Sequence, residues 1–200
     1  MTDLVDRIER NRFAGREFIL WLWFESETFE TNLAPSGQAR CSLWLETRMT
    51  LAFERDESVL KSAMPAASPE AKEALRQGKL PKEARMRMTT GEREFAWVLR
   101  GDTLGLASVA IPIELKNKDD EVHEVFYERM RLLEELSATL EALYADFLSL
   151  RLSEHWDAAM VPMLKRFAQE KKVDENAYLQ IKKKAFAKRA KKGAPAAALR

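Results

Sequence analysis

Between Arg16 and about Thr28 the apolar positions are too dense for a helix with one wet face. Phe18, Leu22 and Glu25 fall on one stripe, and Ile19, Leu20 and Trp23 widen the apolar arc around it. The spacing predicts a helix buried on most sides. Asp3 to Glu9 can form a turn or two ahead of it, and Asn11 to Gly15 reads as a break.

After the turn-forming cluster Ala34-Pro35-Ser36-Gly37 the period shortens to two. Leu43, Leu45, Met49, Leu51 and Phe53 alternate with Ser42, Trp44, Thr47 and Thr50, which predicts two strands or one bent strand. The Ala-, Ser- and Pro-rich stretch from Ser58 to Pro69 reads as a connection. Ser68 is a good N-cap for a short helix from Pro69 to Leu75, with proline in its first position and Gly78 ending it.

Ala84, Met86 and Met88 then alternate with Arg85, Arg87 and Thr89. After the turn at Thr90-Gly91, Phe95, Trp97 and Leu99 alternate with Glu94, Ala96 and Val98. That is a hairpin pattern. A run from Leu104 to Ile113 stopping near Pro112 predicts a strand at the sheet edge. From Asp120 to Ser153, Leu133, Leu136, Leu140, Leu143, Phe147 and Leu150 recur at spacings of three and four. This heptad-like stripe suits a core helix laid across the sheet or a dimer seam. Glu154 to Gln169 and Glu175 to Ala190 read as two more helices.

The expected fold is therefore α+β: an antiparallel sheet packed by helices, then a long helix and a helical basic extension. The expected organisation is an α+β domain over 1–153, the extension over 154–192 and a disordered end over 193–200.

Composition narrows the class. With 200 residues, 46% of them hydrophobic, the chain can bury one ordinary core. The single cysteine, Cys41, allows neither an intramolecular disulfide nor a CxxC metal knuckle, so a reducing compartment is expected and zinc is not. The first residues lack the basic-then-apolar order of a secretory signal, and Phe18 to Phe24 is far too short to span a bilayer. A cytoplasmic protein without membrane contact is expected.

Net charge is +1, yet it is unevenly spread: Ile181 to Arg200 holds eight basic residues and no acid, leaving an acidic body of net charge −7. Lys182, Lys183, Lys184, Lys188, Arg189, Lys191 and Lys192 put cations around much of a helix, where they can neutralise phosphates and release counterions. A solubilising tail favoured by the helix dipole accounts for the same run equally well.

Candidate chemistry is thin. His123 and His155 lack the partners of a metal or nucleophile site, and Glu25, Glu27, Glu30, Glu134 and Glu135 have no histidine companions. No phosphate-binding glycine loop, dinucleotide fingerprint or GxSxG elbow occurs. No enzyme activity, cofactor or metal is expected.

Several segments in order resemble the second half of the RdgC family of recombination-associated proteins. Phe13-Ala14-Gly15-Arg16-Glu17-Phe18-Ile19-Leu20-Trp21-Leu22-Trp23-Phe24 is similar to the family's "GxEFLTWLW" stretch, and Ala71 to Leu80 is similar to its "AxxAGKxVxKLxL" region. Phe95 to Leu99 and Ala107 to Pro112 resemble its "fxfvL…lkLP" strands, and Glu128 to Arg151 resembles its C-terminal helix. The likeness spans about residues 12–152, with no counterpart for the family's N-terminal half or for the segment after Arg151.

The resemblance implies a nucleoid-associated protein of bacterial recombination and replication that binds double-stranded DNA without sequence preference and limits access of RecA. It also implies a homodimer, or a separate chain supplying the other half. Within the matched region Arg76, Lys79, Lys82, Arg85 and Arg87 become candidate phosphate contacts; Arg85 and Arg87 share one strand face by alternation. The rival expectation is a non-catalytic interaction or regulatory module that keeps this fold without encircling DNA, since an acidic body repels phosphate.

Overall fold

The computed structural model describes residues 4–28, 32–53, 55–114 and 122–192. It is an α+β fold built on a six-stranded, wholly antiparallel sheet. Helix α1 (Leu4–Thr28) leads into β1 (Asn32–Leu33), β2 (Cys41–Phe53) and β3 (Asp56–Lys61). A short 3-10 turn precedes α2 (Pro69–Arg76), followed by β4 (Leu80–Thr90), β5 (Arg93–Arg100) and β6 (Gly105–Ala110). Helices α3 (Val122–Arg151), α4 (Val161–Ala168) and α5 (Glu175–Lys192) complete the chain, with a π turn over Trp156–Met160 leading into α4.

The sheet runs β1-β2-β4-β5-β6, with β3 beside the far end of β2. The central hairpin forms where alternation placed it. Gly91, at φ 60°, opens the two-residue turn between Thr90 and Arg93, the place where a hairpin favours glycine. Strand β2 is one bent strand: its pairing with β4 slips between Leu45 and Met49, and Thr47 within the slip has φ 57°. Four steps on β2 there face two on β4, and extra residues in one strand of a pair bend it and raise its twist.

One sheet face carries Leu43, Leu45, Ala84, Met86, Met88, Phe95, Trp97 and Leu99, all buried. Helix α1 lies on that face, contacting β4, β2 and β5, and α3 packs on α1 and α5. Squeezed between sheet and helices, α1 is buried at nine consecutive positions from Phe18 to Ser26, which explains apolar residues on every side. Phe18 meets Tyr144 and Phe147 with ring centroids 5.1 and 5.4 Å apart, and Phe24 meets Phe167 and Tyr178 at 5.4 and 5.2 Å. Trp156, Met160, Phe167 and Tyr178 join the same core cluster, so the segment after Arg151 is part of the common packing.

Three expectations are corrected. Helix α1 does not break at Asn11 to Gly15 but runs unbroken from Leu4, because Gly15 is used for close packing and not for a turn. The stretch from Ser58 expected as a plain connection begins inside β3, whose residues are mostly exposed, so it lacks the apolar alternation that signals a strand. On α3 the buried stripe is Leu132, Leu136, Leu140, Leu143, Phe147 and Leu150, while Leu133 is 39% exposed; the stripe faces the core. The expected disordered end at 193–200 lies outside the described residues.

Candidate nucleic-acid interface

The cations of the α2 to β4 region are almost all engaged by carboxylates. Arg76, in the last turn of α2, donates to Glu73 at 2.9 Å, to Glu170 at 3.0 Å and to the Ala168 carbonyl at 3.0 Å. Lys79 is buried, with Asp56 and the Ser58 hydroxyl both at 2.8 Å. Lys82 pairs with Glu57. Arg87 lies 2.9 Å from Glu46 and 3.2 Å from Glu94. The hydrogen bond to Glu46, then the charges of Glu46 and Glu94, push its pKa above the ordinary guanidinium value. Arg85, opposite Val98 in the β4–β5 ladder, is half-buried and makes no ion pair among the described residues.

Only Arg85 and Arg87 share a strand face by alternation. Arg76 is held at α2 and α4, and Lys79 and Lys82 against β3, so the five are spread out, and the charge of all but Arg85 is cancelled locally. Four acids (Glu46, Glu57, Glu83 and Glu94) interleave with them on β2 to β5. A phosphate approaching this face meets paired charge and gains little.

The C-terminal helices differ. Residues 154–192 hold eleven basic and five acidic residues, so the positive field concentrates there. On α5, Lys183 and Lys184 are exposed while Tyr178 and Ala185 are buried on the opposite side. Lys188, Arg189, Lys191 and Lys192 continue the same helix, with side chains outside the described set. Lys188 and Lys191 stand four and seven positions beyond Lys184, one stripe of an α-helix. Lys182 is placed otherwise, 2.8 Å from Glu25 of α1.

Exposed Lys165, Lys171 and Lys172, in and just after α4, add to the field near the start of α5. They are not among the expected contacts, and no charge excess marks them in the sequence, since residues 154–180 hold four basic and five acidic residues.

Cys41 is buried, which pushes its thiol pKa up to about 11 and holds it in the non-nucleophilic protonated form. His155 is 4.0 Å from neighbouring Glu154, and no metal-binding group of three or more His, Cys, Asp or Glu side chains occurs among the described residues. Lys72 is buried with Glu27 at 2.7 Å and the Phe167 ring centroid at 3.3 Å. Burial lowers its pKa, with Glu27 opposing that shift. Among the described residues no helix is long and apolar enough to cross a membrane. No protein-family model, curated protein or solved structure matches the chain.

Proposed function

We propose that the chain binds double-stranded DNA without sequence preference through α5 and the residues around it, in the manner of an RdgC-like protein. Its role would then be nucleoid-associated, in bacterial recombination or replication, limiting the access of RecA to DNA. The observation that carries the reading is the contrast between the two cation sets. Those on α2 and β4 are mostly held by carboxylates, whereas Lys183 and Lys184 are exposed and the sequence from Ile181 onward contains no acid. Contacts of this kind go to the phosphate backbone and carry no base information. The ordered likeness of residues 12–152 to the RdgC pattern supports the biological setting.

The test is fluorescence anisotropy on unrelated duplexes over a salt series, comparing the full chain with one ending at Ala187. That end point keeps Tyr178, Lys182 and Ala185 in place and removes Lys188, Arg189, Lys191, Lys192 and Arg200. Sequence-blind binding should flatten by several units in its logarithmic salt slope, at about 0.9 units per lost phosphate contact. No binding by the full chain at low salt would overturn the reading.

A second reading, a non-catalytic interaction module, is favoured by exposed apolar side chains on two elements. Edge strand β6 exposes Leu106 and Val109, and the first half of α3 exposes Phe126, Tyr127, Met130 and Leu133, each at least 36% exposed. Residues 103–113 of the edge contain no charge, unlike most unprotected edges. Light scattering of the purified chain and of Met130→Glu distinguishes a self-associating surface from a bare one.

A further inference from the structure

Helix α1 carries two tryptophan–glutamate pairs at i, i+4 spacing: Trp21 with Glu25, and Trp23 with Glu27. An offset of two residues turns the pairs to nearly opposite sides of the helix. Each pair closes on a lysine from another helix. Glu27 accepts from the Trp23 indole and from Lys72 of α2. Glu25 accepts from the Tyr178 hydroxyl and, at 2.8 Å, from Lys182 Nζ, both on α5; the Trp21 indole donates to Tyr178 at 3.0 Å.

The second set joins the nucleic-acid helix to the body. Glu25 is 2% exposed. The Lys182 ammonium sits 5.5 Å from the Trp21 ring centroid and 5.8 Å from those of Tyr178 and Phe186. Its side chain is 19% exposed, whereas Lys183 and Lys184 are open to solvent.

We infer that Glu25 is an internal competitor for phosphate: it anchors α5 through Lys182 and withholds that lysine from polyanions, leaving the cations from Lys183 onward to meet them. Moving Lys182 to a phosphate would strand a carboxylate inside the protein, a larger penalty than one solvent-exposed ion pair repays. Lys184 lies two residues further on, about 200° around the helix from Lys182, so docking of Lys182 directs Lys184 outward. The docking half of this inference stands on the geometry alone; the phosphate half rests on the DNA-binding reading.

The experiment compares the full chain with Lys184→Ala and with the double variant Glu25→Gln/Lys182→Met, which leaves no unpaired buried charge. Each is titrated against one 20-base-pair duplex over a salt series. Hydrogen exchange of the amides of residues 175–187 is followed in the full chain and in Glu25→Gln. The double variant should keep the full chain's salt slope, and Lys184→Ala should lose about one unit of it. A loss of about one unit in the double variant would place Lys182 on phosphate and overturn the inference. Exchange over 175–187 should rise at least tenfold in Glu25→Gln, and unchanged exchange would overturn the anchor. If Glu25→Gln fails to fold, Tyr178→Phe takes its place in the exchange measurement, with the same reading of a rise or of no change. If the full chain does not bind DNA, the DNA-binding reading falls with the phosphate half of the inference, and the exchange measurement still decides the anchor.

Discussion

Gly15 of α1 lies against Gly101, at the turn leaving β5, so closely that a Cβ on Gly15 would stand 1.9 Å from the Gly101 carbonyl oxygen. Gly101 is constrained less severely, since its own Cβ would stand 3.1 Å from the Arg16 backbone. Two glycines thus set how near α1 comes to the sheet, and the next residue, Arg16, fastens the crossing through Asp102, with Nη2 to Oδ2 at 3.0 Å.

Gly15→Ala should therefore destabilise the protein, although alanine is the better helix former. Helix propensity favours the substitution by about 1 kcal/mol, but the overlap forces the elements apart, and overpacking of this kind costs typically about 1–3 kcal/mol. With Gly101 backbone as the obstacle, the upper end is expected. Urea denaturation of the two proteins measures the difference; a stabilised variant would mean that the crossing is loose.

The register of α3 makes a sharper contrast between neighbours. Leu136 is fully buried beside Leu132 and Leu140, whereas Leu133 is 39% exposed. Leu136→Ala should cost about 2–5 kcal/mol through lost burial and a cavity, and Leu133→Ala should stay within about 1 kcal/mol by the exposed-site rule. Equal losses in the monomer would contradict the placement of the stripe.

What the sequence discloses depends on how local the cause is. The β4–β5 hairpin is legible because its alternation and Gly91 act within a few residues, and α2 because Ser68 accepts from the Ala71 amide at its first turn. Strand β3 is not, since its exposed side chains leave no period to read. Gly15 misleads for another reason: a helix breaker and a close-packing glycine are the same letter, and Gly101 is distant in sequence. The charge run on α5 is visible at once. Arg76 is engaged by Glu73 three positions away but also by Glu170 94 positions away, and Lys182 by Glu25 157 positions away, so the fold is needed to separate engaged cations from open ones.

Alkaline stability follows from three buried groups. Burial raises the Cys41 pKa from 9.0 to about 11, so the fold favours the thiol, and its contribution is complete below pH 9 and lost as pH rises toward 11. Tyr178 is raised well above 10.0 by burial and then by Glu25, which adds a loss that begins above pH 10. Lys72 acts the other way. Its pKa is lowered from 10.5, chiefly by burial, so the unfolded chain binds that proton more tightly and stability rises with pH in the window just below 10.5. Denaturation of Cys41→Ala between pH 8 and 11 should show a shallower decline than the parent chain; parallel curves would remove Cys41 from the account.

The strand cations supply the last discriminating substitution. Arg87 already lies between Glu46 and Glu94, at 2.9 and 3.2 Å, and no substitution on α5 alters that. If phosphate is met by α5, Arg87→Ala leaves the salt slope of DNA binding within about 0.3 units, because a contact that is never made releases no counterion. The same change removes the partner of two carboxylates on one face, so any effect on affinity should come as weak, uniform repulsion that fades as salt screens it. A slope reduced by about one unit would instead mean that the carboxylates yield Arg87 to phosphate. The interface would then extend across the open face of the sheet, and the charge on β4 would belong with that on α5.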